Sequence, residues 1–341
     1  MQDIELGGIF EYNSIPYAGY TLRPLLNLEA FAAEPVAAMA RRILDRMNWE
    51  YALGSLSLRS YPPMCRHRKH AYTNNLVHNY EMALMQAWIS LHPDTDVPDP
   101  LLYPHHAMWA ALTSYRLPDT VADWARAKPT DYFVRIGRGR NASAEIYSGG
   151  PGYLISAGGV AIDLLRDTVA RPTMLFLDDG VTRLPEVLHL AGPGEDYRAW
   201  NNTGVYQRFA VAAGPVHIPA AWVADAVVDD WAVYVRSGQR IGVYSSDSLG
   251  IFCLLPPGDA QELARRLAAA NPDKNLLATR FQQLDGTRIE YDPHASKDSW
   301  VLRAVNGEPV DRDFQTWPFL QGDGFPPELL RSKLAPASVR R

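Results

Sequence analysis

The sequence predicts an α+β protein, in which a helical segment is followed by an antiparallel β-sandwich. Three observations predict it. Up to about residue 128 apolar residues recur at helical spacing, and beyond Pro129 they fall into short alternating runs cut by Gly, Pro, Asp and Asn. The length of 341 residues also exceeds the ~250 at which single cores stop growing. The chain is accordingly divided into a helical segment 1–128, a sandwich domain 129–320 and a tail 321–341 expected to be partly disordered.

From Gly19, the residues Leu22, Leu25, Leu26, Leu28 and Phe31 recur at near-helical spacing. Pro35 then opens a second run through Ala38, Met39, Ile43, Leu44, Met47 and Trp49, because proline suits the first turn of a helix. A helical hairpin is expected. A basic link from Arg59 to Thr73 precedes a third helix through Leu76, Tyr80, Ala83, Leu84, Ala87 and Trp88, which Pro93 ends. Shorter helices are expected at 106–115 and 119–127.

The β-like runs are 132–136, 144–147, 153–156, 173–177, 208–211, 231–235, 241–244, 251–254, 288–291 and 300–303. One helix, 259–270, interrupts them, with Asn271-Pro272 as its stop. Many short strands with a single helical insertion point to an antiparallel sandwich over a βαβ sheet. The glycines at 149–152 and 158–159 precede no helix suited to a phosphate loop and read as turns between strands.

A hydrophobic share of 47% and a charged share of 21% are those of an ordinary globular protein, and a net charge of -5 supplies no field for a polyanion. Nucleic acid is excluded as a first reading. With only Cys65 and Cys253, neither a disulfide framework nor a multi-cysteine zinc site is expected. The pairs His105-His106 and His67/His70 lack an H-E-x-x-H companion, so no metal and no cofactor is assigned. No stretch reaches the ~18 apolar residues of a membrane span, and the acidic opening lacks the basic and apolar regions of a signal peptide. The chain as written is expected to be soluble, off the membrane and not exported, which makes its sequons at Asn141 and Asn201 chance matches.

Seven stretches carry a resemblance, three in the helical part and four beyond it. Glu11-Tyr-Asn-Ser-Ile-Pro-Tyr17 is followed by Tyr20-Thr-Leu-Arg-Pro-Leu-Leu and by a helix ending Tyr51-Ala-Leu-Gly-Ser-Leu. These resemble the last helices of the (α/α)-toroid in heparinase II/III-like polysaccharide lyases. Asp230-Trp-Ala-Val-Tyr, Arg240-Ile-Gly-Val-Tyr-Ser-Ser, Thr287-Arg-Ile-Glu-Tyr and Ser299-Trp-Val-Leu-Arg look like strands of the sandwich that follows that toroid. The resemblance covers the C-terminal part of such enzymes, and it implies partial toroid helices followed by the sandwich. With so few helices, apolar surface is left to cover, so a homo-oligomer or a helical partner is expected.

The resemblance further implies β-elimination at a uronate in an acidic polysaccharide or oligosaccharide, in a cleft where the helices meet the sandwich. A polar or cationic group neutralises the carboxylate, and Tyr or His side chains move the protons. Tyr17 is the first candidate for base or acid, read as part of a Pro-containing loop, with Asn13 as an uncharged amide donor. Tyr12, Tyr17 and Tyr20 also fit a packing role. The run Arg66-His67-Arg68-Lys69-His70 is the densest cationic stretch: Arg66 and Arg68 suit bidentate carboxylate binding, His70 proton exchange, and Tyr72 adjoins them. A solvated surface loop explains the same run. His78, early in the third helix, completes the catalytic candidates, with a partly buried structural histidine as its other reading. The alternative to a lyase is a non-catalytic carbohydrate-binding or assembly module.

Overall fold

The computed structural model describes residue 1 and residues 15–60, 80–91, 104–136, 145–158, 171–178, 187–190, 201–296, 299–310 and 319–322. Mixed helix and antiparallel sheet make it an α+β protein. The chain divides into two compact units, Met1–Pro129 and Thr130–Arg341.

In the first unit α1 (Ile15–Phe31) and α2 (Glu34–Leu53) form an antiparallel-type hairpin joined by a two-residue link. Leu22, Leu25 and Leu26 of α1 and Ala40, Ile43, Leu44 and Met47 of α2 are buried, which is the stripe that their spacing dictates. Pro35 stands in the first turn of α2, where its missing N–H costs nothing. Gly54 ends that helix, its amide donating to Glu50 O and Tyr51 O. A small hairpin follows, β1 (Ser55–Leu56) with β2 (Arg59–Ser60), turning through Ser57 and Leu58. Helix α3 (Tyr80–Ser90) is apolar almost all round, and α4 (Pro104–Leu112) and α5 (Asp119–Arg126) complete the described helices of this unit. Trp124 of α5 meets Trp49 of α2 edge-on at 6.2 Å.

The second unit contains three antiparallel sheets among its described residues. The first has the order β10-β7-β6-β5-β4-β3-β19, built from β3 (Tyr132–Ile136), β4 (Glu145–Gly150), β5 (Tyr153–Gly158), β6 (Arg171–Leu177), β7 (Leu188–Leu190), β10 (Val216–His217) and β19 (Phe319–Gly322). The second, β11-β12-β13-β14-β9-β8, comprises β8 (Val205–Tyr206), β9 (Phe209–Ala212), β11 (Ala226–Val228), β12 (Trp231–Arg236), β13 (Gln239–Ser245) and β14 (Gly250–Leu255). A third runs β15 (Arg280–Gln282), β16 (Arg288–Tyr291), β17 (Leu302–Val305) and β18 (Glu308–Pro309).

Side-chain alternation makes the second sheet the middle layer. Along β14, Phe252 and Leu254 join Phe133, Ile155 and Leu175 of the first sheet in one core, while Ile251, Cys253 and Leu255 point the other way. That other core is closed by Leu263 and Leu267 of α6 (Ala260–Ala270), Leu277 of α7 (Lys274–Leu277), and Phe281, Ile289 and Tyr291 of the third sheet. A strand apolar on both faces reads as a continuous run, as Gly250-Ile-Phe-Cys-Leu-Leu does.

Several expectations change. Tyr17 lies within α1 and not in a preceding loop, because Pro16 next to the helix start is tolerated in a first turn. Gly149 and Gly150 belong to β4, and only Pro151-Gly152 turns, with Gly152 at φ 79°. Each of the two glycines lies under a tyrosine: a Cβ on Gly149 would stand 2.6 Å from Tyr132 Oη, and one on Gly150 2.7 Å from a ring carbon of Tyr153. The second unit holds α7 beside the expected helix, and the helical unit holds a β-hairpin. The expected tail lies outside the described residues from 323 onward.

Candidate functional site

Strand register brings a polar row onto one face of the first sheet. Tyr147 of β4 stands opposite Ser156 of β5, Ser156 opposite Met174 of β6, Met174 opposite His189 of β7, and His189 opposite His217 of β10. Glu145, two residues from Tyr147, shares its face. Its β4–β6 part is not solvated, for Glu145, Tyr147, Ser156 and Met174 are all buried, whereas His189 is half-buried and His217 exposed.

The row contains two separate centres. Three strand spacings of about 4.8 Å put Tyr147 and His189 roughly 14 Å apart. At the first centre the Tyr147 hydroxyl donates to Glu145 Oε1. Opposite it, Ser156 Oγ is buried and makes no hydrogen bond. A phenol bonded to a carboxylate can take up and release a proton through one short path, and the serine hydroxyl adds a donor or acceptor beside it. Tyr132, whose ring lies over Gly149, is pushed well above the usual phenol range by burial and stays protonated.

At the second centre the His189 and His217 rings stack at 4.5 Å and 8°. Burial and the neighbouring His217 pull His189 down to about 4, so it is neutral at physiological pH. Among the described residues no three His, Cys, Asp or Glu side chains are grouped to hold a metal ion.

The helical unit has a polar centre of its own. Arg41, Asp45 and Asn48 follow one another at four- and three-residue spacing on α2, which aligns them on one stripe. Arg41 donates to Glu29 Oε1 through Nη2 at 2.7 Å and Nε at 3.2 Å, and Ser114 Oγ donates to Glu29 Oε2 at 2.7 Å. Burial pushes Glu29 up, but the bonds from Ser114 and Arg41 outweigh it and hold the carboxyl below its usual range. Tyr115 donates to Asp45 Oδ1 at 2.8 Å and accepts from Asn48 Nδ2 at 3.0 Å. Burial raises Asp45 despite the Tyr115 bond, and raises Tyr115 much further.

Of the residues singled out from sequence, Tyr17 has its backbone in α1 while its side chain lies outside the description. Asn13, Arg66, Arg68, His70, Tyr72 and His78 lie outside the described residues. Glu145, Tyr147, Ser156, His189 and His217 were missed. The alternation Glu145-Ile-Tyr147 put a carboxylate and a phenol on one face, but nothing in one strand tells that this face is buried.

Neither the family models, nor the curated proteins, nor the solved structures include a match to this chain.

Proposed function

We propose that this chain is a polysaccharide-lyase-like protein that cleaves uronate-containing acidic chains by β-elimination. The supporting observation is the buried Glu145–Tyr147 couple with Ser156 opposite. Its helical unit, in this reading, is part of an (α/α)-toroid whose hairpin is α1–α2.

The chemistry follows from what the couple can do. The proton at C5 of a uronate is too weakly acidic to move until the adjacent carboxylate charge is cancelled by preorganised donors. Tyr147 is only 3% exposed, so the reading requires its sheet face to open to the sugar; its oxygen then takes that proton while its own passes to Glu145. The C5–H electron pair becomes the C4=C5 double bond, and the C4–O bond breaks with its pair on the leaving oxygen. Tyr147 delivers the proton to that oxygen, and Glu145 returns its proton to Tyr147. The cycle closes without water or redox cofactor. Tyr17 is the competing phenol, with Asn13 as amide donor and His70 and His78 as proton carriers; Arg66, Arg68 and Tyr72 are the anion-binding candidates.

A panel of uronate polymers tests the reading through the ultraviolet absorbance of the unsaturated product. Tyr147→Phe removes one hydroxyl and should lower the rate by ~10²- to 10⁴-fold. If Tyr17→Phe gives the larger loss, the proton is carried in the helical unit and the Tyr147 assignment fails. If no polymer yields an absorbing product, the lyase reading fails. The second reading, a sugar-binding module, is favoured by half-buried Trp222, which lies 6.0 Å from Tyr234 with the Arg236 guanidinium over both rings. Oligosaccharide binding without turnover would select it.

A further inference from the structure

The Tyr115 centre of the helical unit is not used by the elimination chemistry. Asn48 and Trp88 both touch Tyr115: Asn48 Nδ2 donates to its oxygen at 3.0 Å, and the Trp88 ring meets the phenol ring edge-on at 5.2 Å and 71°. Each also carries a polar atom without a hydrogen-bond partner, the acceptor Asn48 Oδ1 and the donor Trp88 Nε1. The two residues are 0% and 1% exposed, so bulk water does not serve those atoms. A buried, unsatisfied polar group is costly, and native interiors keep few. Here two of opposite sense border the same ring.

A hydroxyl is the simplest group that completes both, since it donates one proton and accepts another. An ammonium cannot accept from the indole, and a carboxylate cannot donate to the amide oxygen. The surroundings argue against an anion as well, because Asp45 and Glu29 already stand beside Tyr115 with Arg41 bonded to Glu29. We propose that the Tyr115 centre is a binding site for one hydroxyl group, which bridges Asn48 Oδ1 and Trp88 Nε1. Two sources have that chemistry, an ordered water and the hydroxyl of a polyol or sugar.

Crystals of the full chain grown without polyol, and the same crystals soaked in glycerol, separate the sources. The expected result is one density peak within about 3.2 Å of both atoms. A round peak in both crystals identifies water, and one that extends into a carbon chain after soaking identifies the polyol. An empty gap, or a protein group against either atom, overturns the proposal. In solution, the indole N–H signal of Trp88, identified by its loss in Trp88→Phe, should cross-relax with water or shift with glycerol. A signal that does neither overturns it too. None of these outcomes depends on lyase activity.

Discussion

Lys128 is wholly buried and donates to Ala52 O and Trp124 O, carbonyls in the last turns of α2 and α5. Helix C-termini favour a cation, yet burial pulls the amine from 10.5 down to about 7. Between those two values the unfolded chain binds a proton that the native chain lacks. Stability from this group therefore rises with pH across that window, with a slope of up to about 1.4 kcal/mol per pH unit. Below it both states are charged and the burial cost is fully present. Denaturant unfolding from pH 7 to 10 should show the rise, and Lys128→Met should flatten it; an unchanged slope in the variant would contradict the assignment. Asn201 gives a second residue-level test. Its Nδ2 donates to Ser296 O at 2.8 Å and Ser299 O at 2.7 Å, tying these two residues to the irregular segment that leads into β8. Asn201→Ala should cost about 0.5–1.5 kcal/mol in unfolding experiments, the net worth of a hydrogen bond whose carbonyl water can reach. The sequence showed this residue only as a sequon, because the carbonyls it binds lie far along the chain.

At the scale of elements, legibility followed periodicity. Strands with full alternation or continuous apolar runs, such as β3, β12, β13 and β14, were readable because burial repeats every second residue. Short edge pieces such as β10, β11 and β18 were not, since two or three residues carry no period. The β1–β2 hairpin was hidden for another reason. Its turn places Ser57 and Leu58 at φ 49° and 63°, without the Gly or Asn that marks such turns. Leu58 is held there because its amide donates to Ala125 O and its carbonyl accepts from Tyr51 Oη at 3.0 Å. Helix α6 was readable from its own face, but its seat on the sheet depends on one absent side chain. A Cβ on Gly242 of β13 would stand 2.6 Å from Leu267 Cδ1. Gly242→Ala should therefore destabilise by about 1–3 kcal/mol through overpacking, as measured by thermal or denaturant unfolding. Wild-type stability in that variant would show that α6 can shift without cost.

At the scale of the whole molecule, the change of period near Pro129 carried the α+β class, whereas the three-layer packing of the second unit did not follow from any single strand. Layering depends on which faces meet, and only alternation combined with register decides that. Candidate site residues divided the same way: charged and aromatic clusters announce themselves in sequence, whereas Glu145 and Tyr147 became a couple only when their sheet face proved buried. The helical unit leaves Phe31, Met108 and Leu112 exposed at 85%, 54% and 72%. Apolar side chains this exposed favour association where they form one patch, and sedimentation equilibrium at micromolar concentration should find an oligomer; a compact monomer would contradict that expectation.

Elimination at a uronate, as proposed, leaves its signature in the product masses. Elimination adds no water, so the masses of the fragments from a defined uronate oligosaccharide should sum to that of the substrate, with one fragment carrying the double bond. Fragments whose masses sum to substrate plus one water, or an oligosaccharide left intact by active-concentration protein across the uronate panel, would contradict the account.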